Sequence, residues 1–130
     1  MPLALRTLTA LLGLPLVVIG LLWCVLPELA ASLLGASLLD GTGRTTQIGD
    51  SAAFFLGSGT MLVLGALRNN ASWILAGGCL VGLVAPARIL AVLLHGGEWT
   101  FDALAVEIVT LAAACATAVV IRRTAADPSA

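Results

Sequence analysis

Four long apolar segments separated by short polar stretches dominate the pattern of the chain. A membrane-spanning helix needs about 20 mainly apolar residues, and each segment is close to that length. In chain order the segments are Leu8–Leu26, Thr46–Leu67, Ser72–Leu94 and Asp102–Ile121. The pattern predicts an all-α fold: a four-helix transmembrane antiparallel bundle that forms a single domain over residues 1–130.

The connections between the segments refine this prediction. In the longest one, the apolar run Leu29–Leu39 predicts a short helix lying on the membrane surface. The turn at residues 68–70 is so short that segments two and three must be antiparallel neighbours. Trp23, near the end of segment one, is typical of an interfacial anchor. A cleaved signal peptide is the alternative for segment one, but the run is long for one and no clear cleavage site follows it.

Composition supports a membrane protein and excludes other classes. The chain is 60% hydrophobic and only 10% charged, with a mean hydropathy of +1.10, so we expect an integral membrane protein. All six basic residues are arginines and they form no basic tract, so no nucleic-acid partner is expected. Arginine usage with abundant Ala, Leu and Gly is typical of a GC-rich bacterial gene, which suggests the bacterial inner membrane. Three isolated cysteines show no metal-ligand spacing and are expected to be small core residues.

The arginines predict the orientation of the bundle. Arg6, Arg68 and the pair Arg122-Arg123 fall on one side of the membrane if four segments alternate. The opposite connections carry only Arg44 among acidic residues. The positive-inside rule then places both termini in the cytoplasm and the acidic connections outside.

A single arginine lies inside an otherwise apolar segment. Arg88 is six residues before the end of segment three, about 9 Å below that helix end at 1.5 Å per residue. A charge at such depth is costly unless it is paired, and it is a candidate functional residue. Pro86, two residues earlier, removes an amide donor, so a bend in the helix is expected there.

Two acidic residues are predicted to reach the same depth on the same side. Asp50 lies in the outer part of segment two, and Glu107 is about 7.5 Å below Asp102 at helical rise. We therefore expect a cluster with Arg88 between the two carboxyl groups. The less well paired carboxyl group should keep its proton, which gives an acid and a base in one site. The alternative is a purely structural ionic triad.

Helical spacing suggests which residues surround this cluster. Phe54, Gly57 and Met61 share a face with the acidic residue of segment two and would form an apolar pocket floor. His95 shares the face of Arg88 at the end of segment three, and Thr110 follows Glu107 on segment four. The alternatives are a packed core face on segment two, an exposed helix cap at His95, and a threonine that bonds its own helix.

The layout resembles a family of small bacterial four-helix membrane proteins known only as a domain of unknown function. The resemblance spans nearly the whole chain and supports the fold and the three charged positions, but it implies no reaction. The matching features are the run Asp50-Ser51-Ala52-Ala53-Phe54-Phe55-Leu56-Gly57, then Gly82 and Arg88, the turn glycines Gly96-Gly97, and Glu107. The chain departs from the family at Asp50, Ala52 and Phe55, where the family tends to have Glu, a basic residue and Tyr.

Two classes of function follow from these residues. The first is a membrane-embedded acid/base enzyme that acts on a lipophilic small molecule by isomerisation, epoxide opening or cyclisation. Asp50, Arg88 and Glu107 would be its catalytic residues, and no cofactor is expected because no dinucleotide loop or ligand cluster occurs. The second is a non-catalytic protein that binds lipid or assembles a complex. A four-helix exporter is disfavoured because segment one has no carboxylate. The expected partners are the bilayer and a lipophilic molecule, with a homo-oligomer as an option.

Overall fold

The computed structural model describes residues 3–126, and in that range the chain is all-helical. Four helical spans are long and apolar enough to cross a membrane, which confirms the predicted four-helix bundle. The first two and last four positions of the predicted domain lie outside the described residues. The helices are α1 (Leu3–Val25), α2 (Pro27–Leu33), α3 (Gly41–Leu67), α4 (Ala71–Gly82), α5 (Val84–His95) and α6 (Phe101–Ala126).

The third span consists of two helices rather than one. α4 ends at Gly82 and α5 begins at Val84, with Leu83 between them. Pro86 lies in the first turn of α5, where its missing amide would otherwise have bonded the carbonyl of Gly82. The expected bend therefore appears as a break in the helix three residues before the proline.

The short helix in the long connection is present but lies earlier than predicted. α2 begins with Pro27 at its first position and has Glu28 in its first turn, both favourable at a helix N-terminus. It ends before Gly35, whose φ of +70° suits the left-handed conformation that closes a helix. The run predicted as a helix over Leu29–Leu39 is thus helical only as far as Leu33, because the glycine ends it.

Glycines let the helices approach each other closely. A Cβ added at Gly59 would lie 2.7 Å from the backbone nitrogen of Val17, and one at Gly20 would lie equally close to that of Leu56. α1 and α3 therefore pack almost backbone to backbone. Small residues of this kind are the usual means of helix contact where lipid removes the hydrophobic driving force.

The third span also carries a pattern of small residues, Gly78-x-x-x-Gly82. A Cβ at Gly78 would collide with the side chain of Ala114, and one at Gly82 would lie 2.7 Å from the side chain of Leu111. Both glycines of the Gly78-x-x-x-Gly82 pattern therefore face α6. They fix α4 on α6 just before the chain enters α5.

The two ends of the bundle differ in packing. Near the chain termini, the buried hydroxyl groups of Thr9 and Thr117 form a hydrogen bond of 2.8 Å that closes α1 onto α6. On the same side Arg6 donates to the carbonyl of Ala66 at the end of α3. At the opposite end, Ala85 is the one buried residue of α5. The bundle is therefore closed at the end near the termini, whereas α5 is loosely packed at the other end.

Two expectations about single residues are wrong. Trp23 is only 1% exposed and packs with Ala30, Ala31 and Ala52, so it is a core residue rather than an interfacial anchor. α2 folds back over the end of α1 and covers the indole, which the sequence pattern of α1 alone does not reveal. The cysteines, expected in the core, are all exposed on the outer faces of their helices: Cys24, Cys79 and Cys115.

Candidate functional site

An ion pair inside the bundle joins the two helices that follow the break at Leu83. The Nε atom of Arg88 on α5 donates to Oε1 of Glu107 on α6 across 2.6 Å. The Nη1 atom of Arg88 donates a longer hydrogen bond, 3.4 Å, to the hydroxyl of Thr100. The side chain of Glu107 is 8% exposed and that of Arg88 is 36% exposed. The carboxylate is therefore enclosed, while the guanidinium is half-buried.

A tight turn brings these two helices together. α5 ends at His95, and Gly96 adopts a left-handed conformation with φ of +69°. The amide of Gly97 then donates to the carbonyl of Ala91, which reverses the chain. α6 consequently returns antiparallel to α5, and the predicted contact between Arg88 and Glu107 is present.

Within residues 3–126, one of the two carboxylate oxygens of Glu107 has a hydrogen-bond partner. Oε1 accepts from Arg88, whereas Oε2 is buried and has no hydrogen-bond partner within residues 3–126. A buried oxygen without a donor is costly and rare in native proteins. Glu107 is therefore an enclosed carboxyl group with one oxygen held by a cation and the other without a donor within residues 3–126.

A cavity of about 500 Å³ lies beside this ion pair. Its size falls in the range of small-molecule sites in proteins. Its charged lining residues are Asp50, Arg88 and Glu107, and most of the remaining lining is apolar. The remaining lining residues are Leu16, Ile19, Leu34, Ser51, Phe54, Phe55, Val81, Val84, Ala103 and Val106. The cavity thus combines charged groups with hydrocarbon and two aromatic rings, a lining that suits an amphiphile.

Asp50 lines the cavity but does not contact Arg88. The two side chains form no ion pair, and Asp50 is exposed. The predicted cluster is therefore only partly correct: Arg88 contacts Glu107 but not Asp50. Arg88 reaches towards α6, and the cavity lies between Arg88 and α3. Asp50 and the ion pair face one another across a space instead of forming a closed triad.

The other predicted pocket residues divide into two groups. Phe54 lines the cavity, whereas Gly57, Met61, Thr110 and His95 do not. A Cβ at Gly77 on α4 would lie 3.1 Å from that of Met61, so Met61 packs against α4. Thr110 is buried and His95 is exposed at the end of α5. On α3 the cavity therefore extends from Asp50 only as far as Phe55 and does not reach Gly57 or Met61.

Several cavity residues were not predicted from the sequence. Phe55 and Ser51 line the cavity beside Phe54 and Asp50 on α3. Each is one position away from a predicted residue and so lies off the helix face that the spacing selected. Thr100 precedes α6 and binds Arg88, but a threonine at the start of a helix is so common that it gave no signal. Leu16 and Ile19 come from α1, which contributes no charge and was not connected with the site.

Metal ligation has little support in the described part of the chain. No group of three or more His, Cys, Asp or Glu side chains lies close enough together there to hold a metal ion. The ionisable groups of the cavity lining are two carboxyl groups and a guanidinium.

Comparison with protein-family models, with curated proteins and with solved structures finds no match for this chain. The resemblance to the four-helix family of unknown function stays a prediction. The role of the site therefore has to be inferred from its geometry.

Proposed function

We propose that the protein is a membrane-embedded acid/base enzyme that acts on a lipophilic small molecule by isomerisation, epoxide opening or cyclisation. One observation carries the proposal: a buried carboxylate fixed by a guanidinium, Glu107 with Arg88, lines the same apolar cavity as a second carboxyl group, Asp50. Proton-transfer catalysis needs a proton donor and a proton acceptor within reach of one bound molecule. The lining of this cavity supplies both.

The environments of the two carboxyl groups suggest different roles. We assign the base to Glu107, because it lines the cavity and the guanidinium of Arg88 fixes its position. We assign the acid to Asp50, because it is the other carboxyl group in the cavity lining. Carboxyl groups held in different environments are the usual way in which one site provides both functions.

An epoxide substrate illustrates the proton balance. The proton of Asp50 passes to the epoxide oxygen, a carbon–oxygen bond breaks, and both of its electrons stay on oxygen, which becomes a hydroxyl. The adjacent carbon is left as a cation. Glu107 then removes a proton from a neighbouring carbon, and the electrons of that bond form a double bond. Solvent returns the proton from Glu107 to Asp50, so no cofactor is consumed.

The position of the site suggests how a substrate reaches it. The arginines Arg6 and Arg68 lie at the closed end of the bundle, away from the cavity. By the positive-inside rule this end would face the cytoplasm, with both termini, and the cavity would lie in the outer half of a bacterial inner membrane. A lipophilic substrate would then enter from the outer leaflet.

The alternative is a non-catalytic protein that binds lipid or assembles a complex. The observation in its favour is that Arg88 and Glu107 tie the loosely packed α5 to α6. In that case the ion pair would hold the helices in position, and the cavity would bind a lipid without converting it.

Turnover in D₂O distinguishes the two functions. The purified protein in lipid nanodiscs is incubated with isoprenoid olefins and epoxides, and products are analysed by mass spectrometry. An acid/base enzyme gives isomers or cyclised products, and olefin-protonated products carry one deuterium from solvent. We expect E107Q and D50N to lose turnover while remaining folded, and R88M to reduce it.

A matched control is E98Q, which makes the same carboxyl-to-amide change at an exposed residue outside the cavity and should keep full turnover. Wild-type turnover in folded E107Q and D50N would remove the catalytic role. Loss of folding in E107Q and R88M, with D50N still folded, would favour the structural alternative.

A further inference from the structure

We infer that the cavity is built to hold a positive charge on a lipophilic ligand, so that its substrates react through a carbocation, as isoprenoid olefins and epoxides do. This inference rests on the proposed function and adds the substrate class. It follows from the charge balance of the cavity and from the side chains that surround the unbalanced charge.

The charge of Arg88 is already neutralised. Its Nε atom is 2.6 Å from Glu107, and its Nη1 atom is directed to Thr100. An anionic ligand head would have to compete with Glu107 for the guanidinium. The cavity is therefore poorly suited to a carboxylate or phosphate ligand, although it contains an arginine.

The remaining charge in the cavity is negative. Asp50 lines the cavity, and within the described range it forms no ion pair. Once Asp50 has given up its proton, it is a carboxylate facing an apolar space. Glu107 is already bonded to Arg88, so Asp50 is the carboxyl group of the lining that is left to face a cation.

Two aromatic rings line the cavity next to Asp50. Phe54 and Phe55 follow it on α3, and their ring centroids lie 5.1 Å apart with an interplanar angle of 80°. The faces of aromatic rings attract cations through the ring quadrupole, more strongly where water is excluded. The carboxylate and the two rings therefore form one wall that is suited to a positively charged carbon.

The cation would form at this wall. When Asp50 protonates an epoxide oxygen or an olefin, the positive charge appears on a carbon of the substrate and the negative charge on Asp50. The electrons of the O–H bond stay on Asp50. Those of the broken carbon–oxygen bond stay on the substrate oxygen, or those of the double bond form the new carbon–hydrogen bond, and either loss leaves one carbon positively charged. A second double bond of the same substrate can then attack the cation and close a ring, before Glu107 removes a proton.

Amphiphiles with the same tail and different heads test this inference. Dodecyltrimethylammonium serves as a stable mimic of the carbocation, dodecanol as a neutral head and dodecanoate as an anion. The three compete for the protein at equal mole fraction in phosphatidylcholine nanodiscs, and native mass spectrometry counts the bound species. We expect the wild type to prefer the ammonium over the alcohol by about tenfold, and the carboxylate to bind least.

Variants connect this preference with the wall. D50N and F54L should bring the ammonium and the alcohol to nearly equal binding, whereas E98Q should keep the wild-type ranking. D50N is expected to fold, because Asp50 is exposed and has no ion pair within residues 3–126. A wild-type preference for dodecanoate, or a ranking unchanged by both D50N and F54L, would overturn the inference.

Two blocking variants separate this failure from failure of the proposed function. A103F and V84F each place an aromatic ring in the cavity lining, so one remains informative if the other does not fold. Suppose that these variants abolish binding of all three amphiphiles, and that the wild type does not prefer the ammonium head. The cavity is then a ligand site, and only the preference for cations is refuted. If both fold and bind all three as the wild type does, the ligands bind elsewhere and both proposals fail.

Discussion

Arg88 and Glu107 form the one ion pair that joins two helices within residues 3–126. The other pair in that range, Arg44 with Asp40, is exposed and spans one turn at the start of α3. Because Ala85 is the one buried residue of α5, the Arg88–Glu107 contact has an unusual share in holding α5 in place. It serves the fold and the site at once, and its two contributions can be separated experimentally.

Removing the arginine should destabilise the bundle. R88M leaves the enclosed carboxylate of Glu107 without its cation, which should lower the free energy of unfolding by about 1–3 kcal/mol. The measurement is equilibrium unfolding in mixed micelles of mild detergent and dodecyl sulfate. R44M is the matched control, since its exposed pair should contribute less than about 1 kcal/mol. Equal stability of R88M and the wild type would contradict this assignment.

Filling a glycine contact should be far more harmful than filling an open glycine. G59A places a methyl group against the backbone of Val17, and overpacking of this kind costs about 1–3 kcal/mol. G57A lies two positions away on the same helix, and a Cβ there has nothing within 4 Å. We expect G57A to be neutral or stabilising by up to about 1 kcal/mol, as alanine is the better helix former. Thermal unfolding of both variants checks the contrast.

The hydrogen bond between Thr9 and Thr117 should contribute little despite its burial. Such bonds inside membrane proteins average about 0.6 kcal/mol in double-mutant cycles. The variants T9V, T117V and the double variant measure the coupling directly by unfolding in mixed micelles. A coupling above about 2 kcal/mol would mean that this bond, rather than the glycine contacts, closes that end of the bundle.

Thr100 should affect the site without affecting the fold. T100V removes the acceptor of the 3.4 Å bond from Arg88 and keeps the size of the side chain. We expect the free energy of unfolding to change by less than about 1 kcal/mol, while turnover of a substrate falls because the guanidinium is less well fixed. T100S should restore turnover, since it restores the hydroxyl. An unchanged turnover in T100V would show that Glu107 alone positions Arg88.

The orientation of the bundle can be tested with introduced cysteines. In a background with the three native cysteines replaced by serine, E98C lies in the turn before α6 and S72C at the start of α4, at opposite ends. A membrane-impermeant maleimide added to intact spheroplasts should label E98C and spare S72C. The reverse labelling would place the cavity in the cytoplasmic half and contradict the positive-inside assignment.

The spans and the Arg88–Glu107 contact could be predicted from sequence because each depends on a local pattern. Apolar length defines a span, and depth along two antiparallel helices joined by a short turn brings Arg88 and Glu107 to one level. The distance to Asp50 could not be predicted. Equal depth does not determine separation across a bundle, which depends on how closely α3 approaches α5.

The placement of Trp23 shows the same limit. Its position near the end of an apolar run is typical of an interfacial residue, but α2 folds over it and removes it from the surface. The outward-facing cysteines are a related case, because an almost wholly apolar helix gives no periodic signal that separates its core face from its lipid face. The depth of a residue along its helix can therefore be predicted from this sequence, whereas the helix face on which it lies cannot.

The uneven packing of the bundle has a consequence for its evolution. Glycine contacts such as that of Gly59 with Val17 tolerate almost no change, whereas part of the cavity wall, including Val106 and Leu34, is exposed. Mutations at the open end can thus accumulate without loss of the scaffold. Descendants of one ancestral chain could in this way acquire different substrates while keeping the same rigid base.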